Sequence, residues 1–153
     1  MRIRKLTLAV CALLLGACSP AVGPGEIPPV TPKLPNALKV GDCLVGTEMA
    51  ASFDVIPVTS CKNPHDGEVV HIFNATGETF DSEAMSTTAD QVCGDAVVAY
   101  IGPNWENLTI DGLDLRWFKP SKTQWDLGQR QIVCFASAKS GQPDLTVSLK
   151  GKG

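Results

Sequence analysis

Between residues 83 and 101 apolar side chains fall at Met85, Ala89, Val92, Cys93, Ala96, Val97 and Tyr100, a three-and-four spacing that paints one face of an α-helix. Ser82 or Ser86 supplies a cap at its start, while Gly102 followed by Pro103 supplies a left-handed residue and then a stop. Gly94 inside the helix costs up to about 1 kcal/mol relative to alanine, which predicts close packing against a neighbour. Upstream, residues 38–45, 53–59 and 68–75 are rich in β-branched and aromatic side chains and are separated by polar or Gly/Pro turns, so they read as strands. Downstream, Leu113, Leu115 and Trp117 alternate with Asp114, Arg116 and Phe118, an extended segment with one core face. Residues 131–137 read as a central strand, and Leu145, Val147 and Leu149 as a terminal edge strand guarded by Lys150 and Lys152. Strands on both sides of one helix predict an α+β domain, a small and mainly antiparallel sheet with one principal helix packed on it.

The amino end follows another logic. Residues 1–5 carry Arg2, Arg4 and Lys5, and the run from Leu6 to Leu15 is mostly apolar, the charged and hydrophobic regions of a secretory signal peptide spanning residues 1–17. The apolar run is too short for a transmembrane helix, which needs about 20 residues. Leu15-Gly16-Ala17-Cys18 resembles the lipobox of bacterial lipoproteins, which implies cleavage before Cys18 and attachment of palmitate-type acyl chains through its sulfur. Two or three such chains, at about 0.8 kcal/mol per buried methylene, anchor a protein stably in a bilayer. Residues 18–37 then hold Pro20, Pro24, Pro28, Pro29, Pro32 and Pro35, the composition of an extended tether, and residues 38–153 form the domain. The expected location is the cell membrane, lipid-anchored and facing the extracytoplasmic side.

Export changes the meaning of the cysteines. With Cys11 removed and Cys18 acylated, Cys43, Cys61, Cys93 and Cys134 remain as an even set in oxidising surroundings, open to three pairings. The element order favours Cys43 with Cys61, joining neighbouring strands, and Cys93 with Cys134, fastening the helix to a late strand. Loss of the three leader charges leaves ten basic against sixteen acidic residues. So acidic a surface repels phosphate backbones and argues against nucleic acid as a partner.

Several short motifs are spread along the domain: Gly41-Asp42-Cys43-Leu44, then Cys61-x-x-Pro64-His65-Asp66-x-Glu68, Cys93 in the helix, and Pro120 with Trp125. They continue with Gly128-Gln129-Arg130, Cys134 and Ser148-Leu149-Lys150-Gly151. This ordered set, over residues 38–151, resembles the bacterial septum-formation domain family, which implies a cell-envelope location and a link to division without a defined reaction. Gln129 departs from the pattern, because an acidic residue is expected beside the arginine.

His65, Asp66 and Glu68, with Trp125 and Arg130, form the candidate binding or structural cluster. An imidazole among carboxylates could serve as a general base or a metal ligand. A structural role is favoured: Pro64 fixes a turn, Asp66 bonds nearby backbone, and Arg130 pairs with Asp66 or Glu68. Zinc held by Cys61, His65 and His71 is disfavoured, since no cysteines are closely paired and oxidation removes thiolates. A Cys61 nucleophile fails for the same reason. Asn74-Ala75-Thr76 and Asn107-Leu108-Thr109 match glycosylation acceptors by pattern alone. Trp105, Trp117 and Trp125 would support glycan binding, provided two of the rings are exposed and coplanar.

The leading expectation is a non-enzymatic interaction module with no cofactor, no catalytic residue and no bound metal. Its expected partners are the lipid bilayer through Cys18 and an envelope or division protein, with peptidoglycan as an alternative. A metal-dependent hydrolase using His65 and Glu68 ranks third.

Overall fold

The computed structural model describes residues 29–47, 55–107, 112–142 and 144–153. The signal peptide, Cys18, most of the tether, Phe53 and the second glycosylation pattern beyond Asn107 lie outside the described residues. The elements are β1 (Thr31–Lys33), β2 (Cys43–Leu44), β3 (Ile56–Thr59), β4 (Gly67–Asn74), α1 (Ser82–Ile101), β5 (Leu113–Phe118), α2 (Lys122–Asp126) and β6 (Gln131–Ala138). Single-turn 3-10 helices occupy Pro35–Ala37 and Trp105–Asn107. Among the described residues the strands form one sheet in the order β1-β3-β2-β4-β6-β5, every pair antiparallel. This is the α+β arrangement with one principal helix that the apolar pattern predicts. No helix among the described residues is long and apolar enough to cross a membrane.

Strand alternation divides the interior into two. Ile132, Cys134, Ala136 and Ala138 of β6 meet Met85, Ala89, Cys93, Val97 and Ile101 of α1 on one face. Val133 and Phe135 join Leu38, Leu44, Ile56, Val58, Val69 and Phe118 on the other. Burial of both sets of β6 side chains follows from its place between β4 and β5. In β4 the register with β6 slips between Val69 and His71. This bulge brings Val70 and His71 in succession to the helix side.

Two disulfides join these layers, Cys43–Cys61 and Cys93–Cys134. The first ties β2 to the turn after β3, and the second ties α1 to β6. Both match the pairing that the element order favours.

Other expectations change. The helix begins one residue early because Asp81, rather than Ser82 or Ser86, accepts from the Glu83 and Ala84 amides. The stretch read as tether enters the fold at its end, where β1 pairs with β3 and places Pro32 opposite Pro57. An edge strand tolerates a proline, which has no N–H to donate. The strand expected from residue 38 is reduced to β2, because Gly41 adopts φ +90° and Asp42 closes a turn onto Lys39. Residues 145–149 are not a strand: Leu145 makes one isolated bridge with His65, and Leu145 and Leu149 are buried as an irregular strap. The sequence reading missed α2, although its capping box of Ser121 with Gln124 is written in the chain.

Gly94 also departs from expectation, since a methyl group added there would meet nothing within 4 Å. Gly94→Ala should therefore raise unfolding free energy, by about 0.5–1 kcal/mol, the helix-propensity difference. A denaturant titration showing loss of stability would reveal a constraint at this position that the packing does not contain. Replacing both cysteines of one pair should cost about 3 kcal/mol for Cys43–Cys61 and about 4 kcal/mol for Cys93–Cys134, from loops of 18 and 41 residues. Chemical denaturation of the double-alanine variants measures both, and equal, near-zero losses would contradict the assignment.

Candidate functional site

Pro64-His65-Asp66-Gly67-Glu68 leads into β4, and each polar side chain fastens a different piece of chain. His65 is 1% exposed, with Nδ1 2.8 Å from the Asn63 carbonyl oxygen. A carbonyl only accepts, so Nδ1 carries the hydrogen. The backbone of His65 exchanges two hydrogen bonds with Leu145. Asp66 Oδ2 accepts from the Gly46 and Thr47 amides at 2.7 and 2.9 Å, holding the chain where it leaves β2. Glu68 is wholly buried. Its Oε1 accepts from the Tyr100 hydroxyl at 2.7 Å and from Ser148 Oγ at 2.8 Å, and its Oε2 from the Leu149 amide at 2.6 Å. A buried carboxylate is stabilised by donors on both of its oxygens, as here.

The neighbouring motifs serve the same corner. Gly41 stands beside the Tyr100 hydroxyl, and its positive φ of +90° is the conformation that favours glycine there. Asp42 pairs with Lys33 of β1 at 2.7 Å and accepts from the Lys39 amide. Ser148 and Leu149 of the last motif are the two tail residues that bond Glu68. Beyond them, the Gly151 and Gly153 amides donate to the Tyr100 and Ile101 carbonyls, completing the end of α1.

Trp125 and Arg130 lie elsewhere, and the expected pairing of Arg130 with Asp66 or Glu68 does not form. The guanidinium instead sits 3.7 Å above the Trp125 ring, with Nη1 donating to the Trp125 and Gln129 carbonyls. Gly128, at φ +85°, ends α2 and turns the chain back so that the arginine reaches the ring five residues earlier. The spacing Trp-x-x-Gly-x-Arg is thus a local cation–π stack, with Phe80 edge-on to the same ring. The candidate cluster therefore separates into a triad at the start of β4 and a stack behind α2.

The metal and glycan arrangements are not assembled as the sequence reading posed them. Among the described residues, Cys43, Cys61 and Glu68 are the possible ligands that gather, but the two sulfurs are bonded to each other. His65 and His71 lie outside that group, and a disulfide offers no thiolate to a metal or a substrate. Trp125 is buried, and Trp105 and Trp117 are partly buried against the core. No coplanar pair of exposed rings arises from these three.

One surface feature escaped the sequence reading. A groove of about 430 Å³ runs between α1 and β4, lined by Val70, His71, Val92, Asp95, Ala96, Ala99 and Tyr100. Val92 and Ala96 belong to the apolar stripe of the helix, yet the innermost positions are Met85, Ala89, Cys93, Val97 and Ile101. The stripe is wider than the core requires. That excess width was the readable signal.

Two measurements probe the buried triad. Glu68→Leu leaves the Tyr100 and Ser148 hydroxyls and the Leu149 amide without their acceptor, so unfolding free energy should fall by about 2 kcal/mol or more. An unchanged denaturation midpoint would show that the contact contributes nothing. The chain has a single tyrosine. Burial, then the hydrogen bond and negative charge of Glu68, raise the Tyr100 phenol well above its ordinary value of 10.0. The unfolded chain ionises first, so this stability contribution is full below about pH 10 and is lost as pH climbs toward the folded-state value. Tyrosinate absorbance should therefore rise together with loss of the fold. A smooth titration near pH 10 in a folded protein would contradict the buried bond.

Comparison with known proteins agrees with the motifs. The family model described as "Septum formation" matches residues 34–134, from the turn before Leu38 through the second disulfide. No curated protein and no solved structure matches the chain. With about two thirds of its length matched, and with Cys43, Cys61, His65, Asp66, Glu68, Trp125 and Arg130 each given a structural place inside that span, the chain belongs to the septum-formation family.

Proposed function

We propose that this protein is a lipid-anchored envelope protein whose domain is a non-enzymatic interaction module for septum formation or cell-wall assembly. The observation that carries the reading is how the chemistry-bearing side chains are used. His65 and Glu68 are 1% and 0% exposed, and the bonds they make are to their own chain. Such a triad stabilises a shape rather than meeting a substrate. The family supports the link to septum formation. The charged and apolar leader, the Leu15-Gly16-Ala17-Cys18 sequence and the proline-rich stretch support anchorage at a distance from the bilayer.

Mass spectrometry of the native protein should find a mature chain beginning at an acylated Cys18, and Cys18→Ser should release the domain from membranes. A strain lacking the protein should place or complete septa abnormally. Normal septa in that strain, together with no division or wall-assembly protein cross-linked at any surface position, would remove the reading.

A further inference from the structure

The sheet has an open seam where a central strand should be covered. β4 pairs with β6 along its whole length but with β2 only at Gly67 and Glu68, followed by the bonds that Gly41 and Asp42 make with Val69. At Gly41 the incoming chain departs. From Val70 to Asn74, no strand among the described residues occupies that side of β4, and His71, Ile72 and Phe73 are half-buried while Asn74 is exposed. A row of backbone donors and acceptors without a partner strand is a template for an added one.

Beside this edge lies the groove described above. Val92, Asp95, Ala96 and Ala99 stand at helical spacings of three and four, so they form a single stripe on α1 facing His71 and Val70. Two alanines make the stripe shallow enough to seat side chains of a strand running between helix and edge. Its charge is also one-sided. α1 carries Glu83, Asp90 and Asp95 and no lysine or arginine, whereas Lys150 lies 6.0 Å from the Tyr100 ring at the far end.

We infer that β4 and α1 form a strand-addition site that captures an extended segment of a partner protein, alternating apolar residues with a basic side chain set beside Asp95. This deepens the interaction-module reading and rests on it. The occupant would continue the line of β2. Backbone bonds to residues 71–74 would supply affinity, and apolar side chains over Ala96 and Ala99 would supply register.

A short acetylated and amidated peptide of alternating lysine and valine is the probe, titrated at up to millimolar concentration into the full ectodomain and followed by amide shifts. Shifts at residues 71–74 and 92–100, abolished when the peptide backbone is N-methylated, are expected. Ala96→Trp, which fills the seat, should weaken binding at least tenfold. Asp95→Lys should weaken the lysine peptide a few-fold and favour its glutamate counterpart, a reversal that a structural role of Asp95 would not produce. Peptides of neither charge shifting these amides, or a second copy pairing along the same edge in sedimentation, would overturn the assignment. In cells, a photo-cross-linker at Ala99 should trap a protein that one at Leu127, exposed on α2's far turn, does not. Adducts from Leu127 alone would refute this site and leave the interaction module standing, whereas adducts from neither position and normal septa would count against both.

Discussion

The carboxylate of Glu68 is the constraint around which the domain is arranged. It lies fully buried, and the ion pairs among the described residues do not include it. Removing a carboxylate from water costs several kcal/mol unless its oxygens are filled, and here three donors from two distant segments fill them. Once Glu68 is on β4, Tyr100 must stand over it, which places the end of α1. Ser148 and Leu149 must reach it too, which draws residues 145–153 across the sheet. The consequences spread to glycine positions. Gly41 takes the positive φ that turns the chain beside Tyr100, and Gly102 leaves space where any Cβ would strike the backbone of Gly153.

The disulfides fasten different parts of the sheet. Cys93–Cys134 crosses the core between helix and sheet, while Cys43–Cys61 binds β2 to the region beyond β3, with both sulfurs gathered beside Glu68. A short chain with one principal helix can cover only part of a six-stranded sheet. The rest is held by a disulfide, by the Lys33–Asp42 pair and by Leu38 folded against the opposite face. Concentrating the helix over β4, β6 and β5 has a further effect, because it leaves the outer flank of α1 beside an uncovered stretch of β4. Stability and the proposed interaction surface thus have one origin in where the helix is fastened.

Much of this was legible from local pattern. The α1 stripe, the alternation of β5 and the pairing of four cysteines all follow from periodicity and order, and β5 is found at the predicted residues 113–118. The failures have particular causes. Alternation at Leu145, Val147 and Leu149 reads as a strand, but a carboxylate 80 residues earlier claims Ser148 and Leu149, and the backbone bends to reach it. Charge alone pairs Arg130 with an acid, yet the glycine at 128 returns it to Trp125. His65, Asp66 and Glu68 are residue types that catalysis can use, and a string of letters does not disclose that His65 and Glu68 are buried. A long-range polar bond decides the path of the tail, and a local turn decides the partner of Arg130.

Hydrogen exchange at the Leu149 amide tests the central claim most directly, since that proton has no helix or ladder to protect it and points only at Glu68. The account predicts that it exchanges as slowly as the amides shared by β4 and β6, opening only with the fold. Exchange at the rate of an exposed loop, in a protein whose β4 and β6 amides remain protected, would show that the tail is not held by the buried carboxylate.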